Sequence, residues 1–218
     1  MKTRDRILAA SLTLFNERGE RPVTTNHIAA HLEMSPGNLY YHFKNKGEII
    51  RELFRQHLEK TLEMGLVPEG RAFTITDKAT ILEQVFQSLW EYRFIYRDSD
   101  QLLSDNPELR PLFAEMFQVF MAYSRSVHKA LADSGLQNTT PQQQRDLSYN
   151  TWLTLSNWFS FLRCCLPQQQ AENPSQDQVK RGVYQLLSIE RAFMTEKALP
   201  EMDKLLTHYY CELEMEAV

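Results

Sequence analysis

Apolar residues recur along the chain at intervals of three and four, the period of α-helices with one buried face. From Thr3 to Arg18 this spacing sets Leu8, Leu12 and Phe15 on one side, with Ile7 and Leu14 alongside, and the pattern stops at Gly19. A short second helix is predicted from Thr24 or Thr25, whose hydroxyls can cap free backbone N–H groups, with Ile28, Ala29 and Leu32 buried. The third starts with Ser35 as N-cap and Pro36 in the first turn, where a missing N–H costs nothing, and is anchored by Leu39 and Phe43. The fourth starts at Asn45, with Glu48 three residues on as reciprocal cap, and runs through Ile49, Leu53, Leu58 and Leu62 until Gly65, Pro68 and Gly70 end it.

Beyond that loop, Phe73 to Thr76 alternates like a strand, but it is too short and isolated to form a sheet and reads as a lead-in. The next helix is predicted from Asp77 to Asp98, with Ile81, Val85, Leu89 and Trp90 along it. Others follow from Pro107 to Ser134, Pro141 to Leu166, Ser175 to Thr195 and Pro200 to Met215. Asn106-Pro107 and Thr140-Pro141 repeat the cap-then-proline signal of Ser35-Pro36. The predicted class is all-α. Residues 1–46 form a three-helix unit with a helix-turn-helix over about 25–44, residues 47–64 a connecting helix, and residues 65–218 a larger helical domain.

Charge sharpens this division. The whole chain carries a formal −4, yet residues 1–46 carry +3 and the remainder −7, so contact with a polyanion is expected at the amino-terminal end alone. No run approaches the length of a membrane span, and Met1 to Arg6 is polar with no signal-peptide core behind it, which predicts the cytoplasm and no membrane partner. No phosphate-binding glycine loop, nucleotide fingerprint or nucleophile elbow occurs, so neither an enzyme nor a cofactor is expected. His27 and His31 have the spacing of a two-histidine metal site but lack the glutamate of a zinc peptidase motif; the preferred reading is two outward imidazoles and no metal. Cys164 and Cys165 are read as a buried pair beside Phe161 and Leu162.

The third helix is the candidate reader of DNA. Its outer side offers Gly37, Asn38, Tyr40, Tyr41 and His42, small or hydrogen-bonding groups suited to base edges and phosphates, where a merely solvated face would show Lys and Glu. Tyr41 either faces DNA or packs on the first helix. Lys46 stands beside the positive end of the fourth helix's dipole, a natural phosphate site, and Thr25 offers a hydroxyl and an amide.

The segments Thr24-Thr25-Asn26-His27-Ile28-Ala29 and Met34-Ser35-Pro36-Gly37-Asn38-Leu39-Tyr40-Tyr41-His42-Phe43-Lys44-Asn45-Lys46 closely resemble the tetracycline-repressor (TetR) family of bacterial regulators. The resemblance covers about the first 60 residues and beyond them extends to helix order only. It implies that Asn26 and Ser35, Pro36, Gly37, Asn38 and their successors to His42 lie at the groove. Thr25, Tyr40, Tyr41, His42 and Lys46 would be among the phosphate contacts. One departure is visible: the family usually has glycine where this chain has Glu33, and a left-handed backbone there is strained for Glu.

The resemblance further implies a homodimer on a partly palindromic double-stranded operator and release by a small effector, apolar or amphipathic, in the helical domain. The aromatic stripe of Phe86, Trp90 and Phe94, with Phe117, Phe120 and Trp152, is either core or the lining of that effector pocket. Arg93 and Arg97, four apart, either meet an anionic ligand or pair with nearby acids. The segment Leu147 to Leu166 is apolar on more than one face, so Trp158 and Phe161, with Val183 and Leu187 of the next helix, are candidates for the dimer interface; the alternative is an intramolecular core. A rival to the whole reading is a helical protein-interaction adaptor that does not bind DNA.

Overall fold

Local capping chemistry starts most of the helices where the sequence placed its signals. The structure is a computed structural model describing residues 2–63, 67–68, 70–97, 99–167, 170 and 174–213. Helix α1 spans Thr3–Arg18, α2 Thr25–His31, α3 Pro36–His42 and α4 Lys46–Glu63. The Thr24 hydroxyl accepts from the His27 N–H, and Ser35 Oγ accepts from the Asn38 N–H, as expected of N-caps. Asn45 Oδ1 accepts from Glu48 N while Glu48 Oε2 accepts from Lys44 N, closing the start of α4.

The larger domain holds α5 (Ile75–Glu91), α6 (Arg93–Arg97), α7 (Ser99–Asp105), a 3₁₀ turn (Pro107–Leu109), α8 (Arg110–Asp133), α9 (Pro141–Cys165), α10 (Gln176–Glu190), a second 3₁₀ turn (Arg191–Phe193) and α11 (Leu199–Tyr209). The described residues contain no strand, only an isolated bridge between Gln137 and Met194. Thr74, Thr140 and Ser175 each close a capping box; Phe73 and Thr74 lead into α5, while Ile75 and Thr76, expected in the lead-in, already form its first turn. The predicted boundaries at Gly65, Asp98 and Met215 lie outside the described residues.

Several elements differ from their predictions. The helix expected from Pro107 opens as a 3₁₀ turn with no side-chain cap from Asn106, α10 ends at Glu190 rather than Thr195, and α11 ends at Tyr209, well short of Met215. The expected helix from Asp77 to Asp98 breaks at Tyr92, whose φ of −107° and ψ of 29° end α5 and turn the chain into α6. The cause is tertiary. Asn16 of α1 donates from Nδ2 to the Glu91 carbonyl at 2.7 Å and accepts from the Phe94 N–H at 3.1 Å, supplying partners to the backbone groups that the break frees. Phe15 packs on Phe94 with ring centroids 5.3 Å apart, and Tyr92 stacks on His57 of α4. The exposed pairs Arg21–Asp105 and Arg51–Glu108, at 3.7 and 3.6 Å, add a surface tie of small energy. A single hydrophobic cluster runs through both domains, from Ile7, Phe15 and Leu39 through Leu53 and Phe94 to Leu187.

Two features lock the larger domain. Lys78 of α5 meets Glu190 of α10 at 2.8 Å, both almost fully buried, with His128 of α8 beside them. Removing one partner of such a pair strands a buried charge, so the pair fixes the registry of α5 against α10. Further along α10, Gly182 lies against the Phe86 ring: a Cβ there would come within 2.5 Å of two ring carbons and 3.1 Å of Trp158. The glycine therefore sets how closely α10 approaches α5 and α9. Gly182→Ala is expected to cost about 1–3 kcal/mol through overpacking. Urea unfolding measures it, and Phe86→Leu in the same chain should recover most of the loss.

Candidate nucleic-acid interface and effector cavity

The amino-terminal unit presents α3 as an outward helix on a buried anchor. Leu39 and Phe43 are buried, while Tyr40 is 47% and Tyr41 85% exposed. Tyr41 does not pack on α1; its ring stands edge-on to His42. Tyr40 is braced instead, its hydroxyl 3.0 Å from Thr25 Oγ1, which ties the middle of α3 to the start of α2. Asn26, Ser35, Pro36, Gly37 and Asn38 are exposed along the same side. A Cβ on Gly37 would meet nothing within 4 Å, so packing inside the chain gives no reason for a glycine there.

The turn between α2 and α3 takes the left-handed backbone at Glu33, with φ of 53°. It is the sole non-glycine residue of positive φ among those described, and the conformation costs about 1–2 kcal/mol for an L-residue with a Cβ. Glu33 N donates to Ala30 O and Met34 N to Ala29 O, so the turn closes in the usual helix-ending manner despite the strain. His27 is an intramolecular cap, its Nδ1 accepting from Thr24 N, while His31 is exposed.

Lys46 departs from its expected place. Its ammonium lies 2.6 Å from the Glu20 carboxylate and donates to the Glu20 carbonyl, so it is committed to the turn after α1. Glu20 is distant in sequence, and its contact outweighs the local attraction of the helix end.

The predicted aromatic stripe divides among three locations. Phe86 and Trp90, with Val179 and Val183, line an open groove of about 640 Å³ between α4, α5 and α10. Phe94 lines neither that groove nor the cavity below, because the break at Tyr92 turns it onto Phe15. Phe117 packs between Trp152 and Tyr149, outside the cavity lining. Phe120 and Trp152, ring centroids 5.2 Å apart, do line an inner cavity of about 40 Å³ together with His57, Ser88, Tyr96 and Met116. Arg93 lies over the Trp90 ring at 4.2 Å and donates to the Trp90 carbonyl.

The inner cavity has a polar relay that the sequence reading missed. His57 Nδ1 is 3.2 Å from Ser88 Oγ and its Nε2 is 2.7 Å from the Tyr96 hydroxyl, which approaches Met116 Sδ at 3.4 Å. The available signal was a histidine on the stripe of α4 that otherwise buries Leu53, Phe54 and Leu58. Burial, and secondarily the charge of Lys60, pushes His57 down to about 3, so the imidazole is neutral.

The candidate dimer residues also divide. Trp158, Val183 and Leu187 are buried within the chain, with Trp158 Nε1 donating to the Gln178 carbonyl. Phe161 remains exposed, on a face of α9 with Tyr149 and Leu153. Cys164 is exposed on α9 and Cys165 half-buried, which corrects the expectation of a buried pair: the core side of that turn belongs to Leu162 and Leu166.

A three-helix head with a helix-turn-helix, joined by a long helix to a larger helical domain, defines a DNA-binding regulator of the two-domain type. The chain matches the family described as bacterial regulatory proteins, tetR family, over residues 7–53, and bacterial transcriptional repressor (TetR) over residues 53–202. It belongs to the TetR family of bacterial transcriptional repressors and is a DNA-binding transcriptional regulator. A TetR-family transcriptional regulator from Marinobacter aquaeolei VT8 is 40% identical, with TM-score 0.86 over 97% of this chain and 100% of that one. The HTH-type transcriptional repressor KstR2 of Mycolicibacterium smegmatis is 30% identical over 116 residues, 48% of this chain, and the match spans only 53% of that protein. The complex of triclosan with SmeT, the repressor of a Stenotrophomonas maltophilia multidrug efflux pump, shares the fold at 17% identity and TM-score 0.55, over 90% of this chain and 93% of that one. No helix among the described residues is long and apolar enough to cross a membrane.

The two buried histidines set a pH dependence. His128, like His57, is depressed by burial, to about 4, with Lys78 adding to the effect. In the unfolded chain both take up protons near pH 6.5, whereas the fold refuses them, so stability is lost as pH falls below about 6.5. Each histidine should contribute a slope of about 1.4 kcal/mol per pH unit between pH 6 and 5. Urea midpoints across that interval measure it, and His57→Gln should roughly halve the slope.

Proposed function

We propose that this regulator represses by holding α3 in the major groove of a double-stranded operator, with Thr25 and Asn26 of α2 at its edge. Asn38 and the backbone at Gly37 approach base edges, and Ser35, Tyr40, Tyr41 and His42 contact phosphates or thymine methyls. The observation that carries this reading is the outward Tyr40–Tyr41–His42 face of α3, braced through Thr25 while Leu39 and Phe43 hold the helix from below. Lys46 takes part only by positioning the turn after α1 through Glu20.

Residues 1–46 act as reader, 47–64 as connection and 65–218 as effector and dimerisation domain. The chain works in the cytoplasm as a homodimer, by binding and not by catalysis. Its exposed apolar residues Tyr149, Leu153 and Phe161 on α9, with Ile189 on α10, form the mutual face, and Trp158, Val183 and Leu187 support that face from beneath. Two-fold symmetry then sets the reader helices about 34–36 Å apart, or a related distance, on a partly palindromic site. A small apolar or amphipathic effector in the larger domain favours a geometry with misplaced readers and weakens operator binding.

Mobility shift on the DNA flanking the chain's own gene tests the reader. Asn38→Ala with Tyr41→Ala should reduce affinity at least tenfold with unchanged thermal unfolding. Undiminished affinity would remove α3 from the interface.

A further inference from the structure

The inner cavity holds a proton inventory that selects a ligand. Among the described residues its lining includes no Lys, Arg, Asp or Glu, and its walls include Phe120, Trp152, Leu89 and Met116. Of its polar groups, Thr61 and Ser156 donate to backbone carbonyls of their own helices and Tyr123 has an interaction of its own, while Ser88, His57 and Tyr96 are joined in that order by two hydrogen bonds. Two hydroxyls and one neutral imidazole carry three mobile protons, and the two bonds use two of them.

Among the described residues the third proton has no good acceptor in either arrangement. If Nε2–H donates to the Tyr96 oxygen, the Tyr96 proton has only the thioether of Met116, a weak acceptor at 3.4 Å. If Tyr96 donates to Nε2 instead, Nδ1–H donates to Ser88 Oγ and the Ser88 proton is left over. Ser148 and Ser156 bond the carbonyl four residues back in their helix, whereas the bond recorded for Ser88 Oγ is the one to His57. Either end of the relay therefore offers the cavity a hydroxyl donor in an apolar setting, where an acceptor counts for more than in water.

We infer that this cavity takes an uncharged, largely apolar molecule bearing an acceptor oxygen, such as a ketone or ester, which captures the relay's spare hydroxyl proton. The inference rests on the reading of the larger domain as the effector domain and names its ligand class. A carboxylate or ammonium ligand would enter with its charge uncompensated, which burial makes costly. The cavity now has room for little more than one water molecule, at about 40 Å³, so entry requires the flexible Met116 and the rings of Phe120 and Trp152 to shift.

The test uses the full chain and three naphthalene probes, with Trp152 on the cavity wall as part of the fluorescence signal: 2-acetonaphthone, 2-ethylnaphthalene and 2-naphthoate. The ketone should bind about tenfold tighter than the hydrocarbon, the carboxylate at least tenfold weaker than either. The bound ketone's carbonyl stretch should lie below its value in hexane. Ser88→Ala with Tyr96→Phe should bring the stretch back toward hexane and shrink the ketone preference, with hydrocarbon affinity kept within about twofold as the sign of an intact cavity. Equal binding of ketone and hydrocarbon, carboxylate binding as tight as the ketone, or no binding by any probe would each overturn the assigned class. Operator release is read separately by mobility shift, so ketone binding without release leaves the class standing and rejects the effector reading.

Discussion

Asn16 satisfies two backbone groups that a continuous helix would have satisfied for itself. The Glu91 carbonyl and the Phe94 N–H meet one side-chain amide from α1, and leaving such groups buried and unpaired would cost about 1–3 kcal/mol each. With that amide in place, the chain can break at Tyr92, stack Tyr92 on His57 and turn α6 so that Phe94 faces the head and Tyr96 faces the cavity. Within the five-residue α6, Phe94 thus touches the head's first helix and Tyr96 the polar relay. This packed junction and the continuous helix α4 both join the amino-terminal head to the larger domain.

Electrostatics divide the molecule in the same way. The head has the positive balance and an outward face of hydroxyls and amides, whereas the larger domain carries the acidic excess. Lys78 and Glu190 cancel one another, and His57 and His128 are held neutral. The inner cavity is consequently an uncharged compartment inside an acidic body. Its polar groups act through hydrogen bonds and have no net charge with which to attract an ion.

The local part of this design was legible in the sequence. Thr24, Ser35-Pro36, Asn45-Glu48 and Thr140-Pro141 each signal a helix start within three or four residues, and each start falls there. The family resemblance flagged Glu33 as a departure at a turn where glycine is usual, and the backbone there keeps the left-handed form, with φ of 53°. Interactions across long sequence separations were not legible. Asn16 reaches its partners 75 and 78 residues away, and Glu20 captures Lys46 from 26 residues away. The aromatic stripe divides between two hollows and the core because spacing of four marks one helix face only while the helix continues; the break sends Phe94 to the head, and Gly182 admits Phe86 into contact with α10. Of the six residues, Phe86 and Trp90 line the open groove and Phe120 and Trp152 the inner cavity, which His57 on the buried stripe of α4 also marks.

Under the proposed function, α6 would carry the state of the cavity to the reader, because Phe94 touches α1 while Tyr96 joins the cavity's relay. A double-mutant cycle on operator affinity at fixed salt, with Asn16→Ala, Tyr96→Phe and the two combined, tests it without requiring any effector. Coupling through α6 predicts that both single changes alter affinity and that the double change differs from their product by at least threefold, beyond the spread expected of independent sites. Affinities that multiply independently, or single variants that bind the operator as the parent does, would contradict it.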